Sequence, residues 1–330
     1  MSSAEKRIAV VTGGTGFIGW NLCETLRDAG WIVRAVVRPS SSNPLPDGVE
    51  RWDADLNAAA MQQAVDGADV VYHLAGVTRA RNLAGFRRVN ADGAREAAIA
   101  SRDAGAFFLM VSSQAAGGPG TPSSVRTEAD PPAPASDYGL SKLDGEAAVA
   151  AVEGLHYAIV RPPGVYGPRD KDFFVLFDAA RRGLAPRLGS AAKAYTLIHV
   201  DDAVAALRAV ADAGTSGNGS VDGGVFFIGH PEPVTQGELL TQVASAVGRR
   251  ARQIPIPLPV LRLLAEFGEL QGVITGRPAV LNRTRFRELA APGFVCSVDK
   301  IAEAIGWLAS IDHARGLEHT ARWYRDVGWL

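Results

Sequence analysis

Short runs of branched apolar residues alternate with longer alanine-rich stretches through the first half of this 330-residue chain. The apolar runs are nearly continuous, the pattern of strands buried on both faces. They predict strands at Ile8–Val11, Ile32–Val37, Val70–Leu74, Phe107–Ser112 and Tyr157–Val160. Between them the 3.6-residue period predicts helices at Gly19–Ala29, Met61–Val65, Val89–Ala104 and Tyr138–Val152. Strands and helices in this order build a parallel sheet covered by helices on both sides. After Tyr166 the rhythm breaks into helical segments, prolines and an irregular stretch at Gly214–Gly224, with one more strand at Val225–Ile228.

The first strand runs into Thr12-Gly-Gly-Thr-Gly-Phe-Ile-Gly19, which opens the first helix. Glycines at 13, 16 and 19 suit a tight turn, a close backbone approach to a pyrophosphate and close helix–strand packing. The helix N-terminus then turns unpaired N–H groups and a positive dipole end toward the phosphates. A glycine triplet alone is weak evidence, but here it follows a strand, opens a helix and starts a strand–helix–strand unit. The expected fold is therefore α/β, a Rossmann-type doubly wound parallel sheet with a smaller, mainly helical C-terminal substrate lobe. Residues 1–165 plus about 198–230 are expected to form the NAD(P)-binding part, and about 166–197 plus 231–330 the lobe. The second strand ends at Arg38, and no Asp or Glu lies between Ile32 and Ser42. An acidic residue there would suit a ribose 2′-hydroxyl, whereas Arg38 suits a 2′-phosphate, so NADP is favoured over NAD.

Tyr138-Gly-Leu-Ser-Lys142 places a phenol and an ammonium four residues apart, on one face of a helix. A neighbouring cation favours the phenolate, which makes Tyr138 a workable general acid for a carbonyl oxygen or a base in reverse. The hydroxyl pair Ser112-Ser113 sits at a strand C-terminus, where open parallel sheets bind ligands.

With these motifs in place the chain resembles the extended short-chain dehydrogenase/reductase family, also described as the NAD-dependent epimerase/dehydratase family. The resemblance rests on residues 12–19, Asp55-Leu56, His73-Leu-Ala-Gly76, Val89-Asn90 and Val111-Ser-Ser113. It continues through Tyr138–Lys142, Arg161-Pro-Pro-Gly-Val-Tyr-Gly-Pro168 and Ile198-His-Val-Asp-Asp202. The resemblance implies Tyr138 as acid/base, Lys142 as the group that holds the nicotinamide ribose and depresses the Tyr138 pKa, and Ser113 as hydrogen-bond donor to the substrate oxygen. It implies a cofactor path along Gly13, Thr15, Gly16, Phe17, Ile18 and Gly19, with Asp55 and Leu56 at the adenine. Leu74, Ala75 and Gly76 would border the pyrophosphate and ribose, and Pro162, Gly164 and Val165 the nicotinamide. His73, Asn90 and the run His199, Asp201, Asp202 are expected to do structural work, as a strand-end histidine, a buried tie and a helix cap. Phe173–Phe177 is expected in the core. Gln114, Thr78, Tyr166 and Arg169 are expected near the pocket mouth.

Sugar-nucleotide members of this family often carry Asn where this chain has Gly164, and the run Pro255–Leu264 is strongly apolar. With Arg38, this points toward dihydroflavonol-reductase-like and 3β-hydroxysteroid-dehydrogenase-like members. The expectation is an NADP(H)-dependent oxidoreductase acting on a small hydrophobic ketone/alcohol pair. Arg277, Arg283, Arg285 and Arg287 keep open an NAD-dependent nucleotide-sugar epimerase or dehydratase that retains its cofactor. A non-catalytic nucleotide sensor is a third reading, which the intact Tyr–Lys pair argues against.

Composition narrows the partners. Lys+Arg 34 against Asp+Glu 35 gives a net charge of −1, which offers no global attraction to nucleic acid. Cys23 and Cys296 lie outside any metal-ligand spacing, so no metal is expected. The N-terminus lacks the apolar core of a secretory signal, and the expected location is the cytoplasm. Ile254–Ile274 is interrupted by Arg262, Glu266 and Glu269, so it is expected as an amphipathic helix covering a pocket or the core, with association at a bilayer surface as the lesser alternative, and not as a transmembrane segment. The resemblance further implies a possible homodimer through the helices near 89–104 and 138–152.

Overall fold

The computed structural model describes residues 6–217, 219–275, 281 and 283–330. Its centre is a seven-stranded, wholly parallel sheet in the order Gly224–Phe227, Tyr157–Arg161, Phe107–Val111, Val70–His73, Ile8–Thr12, Ile32–Val37, Glu50–Asp53. The apolar runs divide by alternation between two cores, one on each face. Ala9, Val11, Val70, Tyr72, Leu109 and Val111 face one side, with Leu22 and Leu26 of helix Phe17–Asp28 and Val204, Leu207 and Val210 of helix Val200–Thr215. Val10, Val71, Phe108 and Met110 face the other, with Ala94, Ala97 and Ala98 of helix Gly93–Asp103 and Val149 of helix Asp137–Ala150. That division is why these strands read as unbroken hydrophobic runs.

Strand order reverses at Ile8–Thr12: the next strands in sequence lie on one side of it, and Val70–His73 and its successors on the other. The crevice at the carboxyl ends of Ile8–Thr12 and Val70–His73 is thus the place where an open α/β sheet receives a ligand. The edge strand Glu50–Asp53 was not expected from the pattern, because its residues are largely exposed and charged. The helix expected over 89–104 is instead a composite. It begins at Leu83–Arg87, passes through a wider π-type turn at Arg88–Asp92 and continues as Gly93–Asp103. The wide turn carries Asn90, which points inward. Its side chain accepts from Val77 N at 2.8 Å and donates to Val77 O at 3.0 Å and Ser141 Oγ at 2.9 Å.

Beyond Tyr166 the structure is mainly helical, with small paired strands. Gly164–Tyr166 pairs with Leu197–His199, and Leu184–Leu188 with Arg252–Ile256. Helix Val200–Thr215 is capped by the His199 side chain, which accepts from Asp201 N. Asp202 accepts from Ser310 N and Ile311 N, fixing the approach to the last helix, His313–Asp326. His199 therefore acts as a cap and Asp202 as a tie, while the exposed Asp201 carboxylate lies 3.5 Å from His199 and 3.8 Å from His319.

Candidate active site

The glycine loop is shaped by close approach. Gly13 has φ +75°, and a Cβ there would stand 2.8 Å from Ala75 N; one at Gly19 would stand 2.2 Å from Gly13 O. No side chain fits at either position without moving backbone. Gly16 begins helix Phe17–Asp28 with no side-chain cap, which leaves the helix's first N–H groups facing the crevice. Thr15 and Gly16 are accessible, whereas Phe17 and Ile18 pack partly against the sheet. Leu74, Ala75 and Gly76 lie directly across the loop, and Thr12 Oγ1 ties the two segments by accepting from Ala75 N at 3.2 Å. This cradle, which any added Cβ would fill, fits a dinucleotide pyrophosphate.

His73 closes the floor of the crevice. It is buried, its Nδ1 lies 3.0 Å from Thr12 Oγ1, and its ring stacks on Phe108. Burial, with Lys142 nearby, pushes its pKa down to about 3. It stays neutral through the working range and is no acid/base near pH 7.

Ser136 caps helix Asp137–Ala150 and so fixes the direction in which Tyr138 and Lys142 leave it. The buried Lys142 donates to Val111 O at 2.8 Å. Tyr138 is half-buried beside Phe86, with Ser113 as its neighbour in the cavity wall. Burial raises the Tyr138 pKa, and the neighbouring Ser113 hydroxyl opposes this in part. In this state the phenol keeps its proton, and Lys142, engaged by the Val111 carbonyl, is not what shifts it. The two adjacent serines are separated by the pleat. Ser112 turns inward to Glu146, which also receives two hydrogen bonds from Arg161, at 2.9 and 2.6 Å. Ser113 starts the short helix Gln114–Gly117 and faces Tyr138. The inner serine is thus consumed by a buried ion pair, whereas the outer one, whose Oγ accepts from Ala115 N at 3.2 Å, keeps its hydroxyl proton for the site.

Ser113 and Tyr138 open onto a cavity of about 570 Å³, a size that suits a small organic molecule. Its walls are largely apolar: Phe173, Leu176, Leu188, Leu197, Leu239 and Phe294 are representative. A Cβ on Gly164 would stand 2.8 Å from the tip of Leu197, so that side chain occupies the space where an Asn would point. Pro162 is buried behind Gly164, and Val165 packs against the sheet core. Polar side chains also reach the wall, among them Asp172, Tyr195 and Thr196. Lys193 donates to Leu289 O at 2.7 Å, and burial pushes its pKa down to about 8. Arg285 pairs with Glu288 at 2.7 Å, and Glu288 also accepts from Ser136. Gln114 Nε2 and Gln236 Oε1 are buried with no hydrogen-bond partner among the described residues.

Other expected residues are placed as follows. Arg38 is exposed at the end of strand Ile32–Val37. Asp55 is exposed, and Leu56 packs over Gly93. Gln114 lines the cavity, but Tyr166 is fully buried among Phe173, His199 and His313, and Thr78 is exposed. Arg169 stacks over Trp20 at 4.4 Å. Within Phe173–Phe177 the roles split: Phe177 is core, while Phe173, Val175 and Leu176 line the cavity. Arg283 pairs with Glu266, Arg287 is exposed, and Arg277 lies outside the described residues. Lys193, Gln236 and Glu288 were not expected; each comes from a different C-terminal segment, and no local motif marks them.

Enzymes of the extended short-chain dehydrogenase/reductase class are built on this plan, with a doubly wound sheet, a glycine cradle and a Tyr–Lys helix beside it. The chain belongs to the NAD dependent epimerase/dehydratase family, whose sequence pattern matches residues 9–229. It is similar to a ceramide reductase of Caulobacter vibrioides, with 35% identity over 335 aligned residues, covering 100% of this chain and 98% of the relative. It is also similar to a 3 beta-hydroxysteroid dehydrogenase/Delta 5→4-isomerase of Mycobacterium tuberculosis, with 30% identity over 77% of this chain and 73% of the relative. Among solved structures, a UDP-glucose 4-epimerase of Thermotoga maritima shares the fold, with TM-score 0.78 and 22% identity over 97% of this chain and 99% of that one.

Proposed function

We propose that this chain is an NADP(H)-dependent oxidoreductase that interconverts a hydrophobic ketone and its alcohol. The observation that carries the reading is the largely apolar cavity opening onto Tyr138 and Ser113. The full-length likeness to a protein named for the reduction of a lipid supports the same class of substrate. Residues 166–197 and 231–330 act in this reading as the substrate lobe, and pairing of two copies through helices Gly93–Asp103 and Asp137–Ala150 is part of the proposal.

A nicotinamide cofactor held along the glycine cradle would supply the hydride for reduction of the carbonyl carbon, or accept it in reverse. Tyr138 gives its phenolic proton to the carbonyl oxygen as the new C–H bond forms, then regains a proton from solvent. Ser113 donates a hydrogen bond to the same oxygen and orients it. Lys142 holds the nicotinamide ribose and, once charged groups meet there, steadies the phenolate. The backbone at Gly13, Thr15 and Gly16 holds the pyrophosphate, and Arg38 the 2′-phosphate. Gln114 and Gln236 offer an unpaired donor and an unpaired acceptor to polar atoms on an otherwise apolar substrate.

Burial pushes Lys142 down to about 8 from its ordinary 10.5. A folded value below the unfolded one means that the buried charge opposes folding most fully below about pH 8, and that this penalty fades as pH rises toward 10.5. Binding has the opposite preference, because only the ammonium donates fully to ribose hydroxyls. NADPH affinity is therefore expected to weaken as pH rises through about 8. Fluorescence titration between pH 7 and 9.5 checks this, with Lys142→Met expected to bind more weakly and without that step.

A nucleotide-sugar reading would draw on Lys193 and Arg285, two cations at the cavity wall. Both are already engaged, by Leu289 O and Glu288, which leaves less for a diphosphate. The deciding experiment follows NADPH oxidation with long-chain 3-oxo lipids and with UDP-sugars. Turnover of the lipids alone supports the proposal. Conversion of a UDP-sugar with no net change in nicotinamide overturns it.

A further inference from the structure

Helix Leu258–Thr275 turns a strongly apolar stripe toward water. Val260, Leu263, Leu264 and Phe267 follow one another at i, i+3, i+4 and i+7, and are 46%, 58%, 49% and 62% exposed. The helix rests on the protein by a different and narrower face, Leu261 and Ala265, which are 4% and 1% exposed. The expected packing of an apolar face on the protein is thus carried by Leu261 and Ala265 alone, while the larger apolar face looks outward. Ile254 and Leu258 are also exposed and extend it.

This surface stands beside the cavity. Strand Arg252–Ile256, which leads into the helix, pairs with Leu184–Leu188, whose Pro186 and Leu188 line the cavity. The helix packs against Arg283–Ala290, which contributes Arg285, Glu288 and Leu289 to the lining. Val175, exposed and part of that lining, gives the mouth an apolar lip.

Charge decides what the stripe meets. From Leu239 to Ala265 the sequence holds no Asp or Glu but four arginines: Arg249, Arg250, Arg252 and Arg262. All four are exposed. Glu266, the next acidic residue, is engaged by Arg283 at 2.6 Å. Apolar side chains flanked by arginines match the boundary between acyl chains and anionic headgroups. A second copy applied by the same face would set these arginines against their own equivalents, which opposes such pairing. No helix among the described residues is long and apolar enough to cross a membrane.

We propose that this face docks on the surface of an anionic bilayer, with Val260, Leu263, Leu264 and Phe267 inserted at the headgroup boundary and the arginines against lipid phosphates. A lipid-like ketone then passes from the bilayer into the cavity without crossing water; that passage rests on the function proposed above, whereas the docking does not.

The test is co-sedimentation of the full chain with vesicles of phosphatidylcholine and phosphatidylglycerol at 7:3, in the absence of any ketone. The wild type is expected to bind, and less so in 0.5 M salt. Leu263→Ser/Leu264→Ser/Phe267→Ser is expected to partition at least about tenfold less, since burying even one such side chain is worth on the order of tenfold. NADPH titration shows that the variant is folded. Wild type left in the supernatant, or a folded variant that binds equally well, overturns the proposal. So does a dimer, seen by analytical ultracentrifugation, that the three substitutions dissociate. A protein that binds vesicles yet reduces no lipid ketone keeps the docking and removes the proposed function.

Discussion

Tyr138→Phe is expected to lower turnover about 10³-fold while leaving NADPH affinity unchanged, the range in which a positioned general acid contributes. The substitution removes one oxygen and keeps the ring that packs beside Phe86. Helix Asp137–Ala150 stays capped by Ser136, so Lys142 keeps its bond to Val111 O. What disappears is the proton donor beside Ser113 in the cavity wall. Steady-state rates on one ketone, with cofactor affinity measured separately, report the effect. Loss of turnover below tenfold would remove Tyr138 from the chemistry, and loss of cofactor binding would make its role structural.

Arg38→Ala is expected to weaken NADPH binding roughly tenfold to a hundredfold and to leave NADH nearly unchanged. Charge-assisted hydrogen bonds contribute about 1.5–3 kcal/mol, and each 1.4 kcal/mol is about tenfold in affinity. Arg38 stands exposed at the end of Ile32–Val37. Of the two carboxylates in the paired edge strand, Asp53, which lies level with Val37, is held by Arg51 at 2.9 Å. No acidic side chain in 32–42 competes for a ribose hydroxyl. Parallel titrations with the two nucleotides read the difference. An equal loss for both would place Arg38 on a part of the cofactor that they share.

The elements that the sequence made legible are those whose information is local. Six strands announced themselves because burial on both faces leaves few polar interruptions, such as Arg34 in Ile32–Val37, and the Tyr–Lys spacing forms its shared face within one helical turn. Glu50–Asp53 escaped notice because an exposed edge strand needs no apolar run, only a neighbour such as Val36 or Val37 to pair with. The cavity wall was beyond reach for another reason. Lys193, Gln236 and Glu288 meet only through packing of segments far apart in the chain. Helix Leu258–Thr275 shows a third kind of limit. Its period is equally compatible with packing by Leu261 and Ala265 or by the wider stripe of Val260, Leu263, Leu264 and Phe267, and only tertiary contact selects between them.

The tip of Leu197 beneath Gly164 also constrains how this site can diverge. A Cβ at 164 would press on Leu197 at 2.8 Å and rest in ordinary contact with Phe173 at 3.6 Å. Substitutions at 164 and 197 are therefore coupled, and their order matters. Shortening Leu197 leaves a small void that an enlarged pocket tolerates, whereas adding Asn at 164 first meets a filled wall. A route from this apolar cavity toward one that grips a polar substrate thus runs through position 197 before position 164, and the reverse path passes through a misfit intermediate.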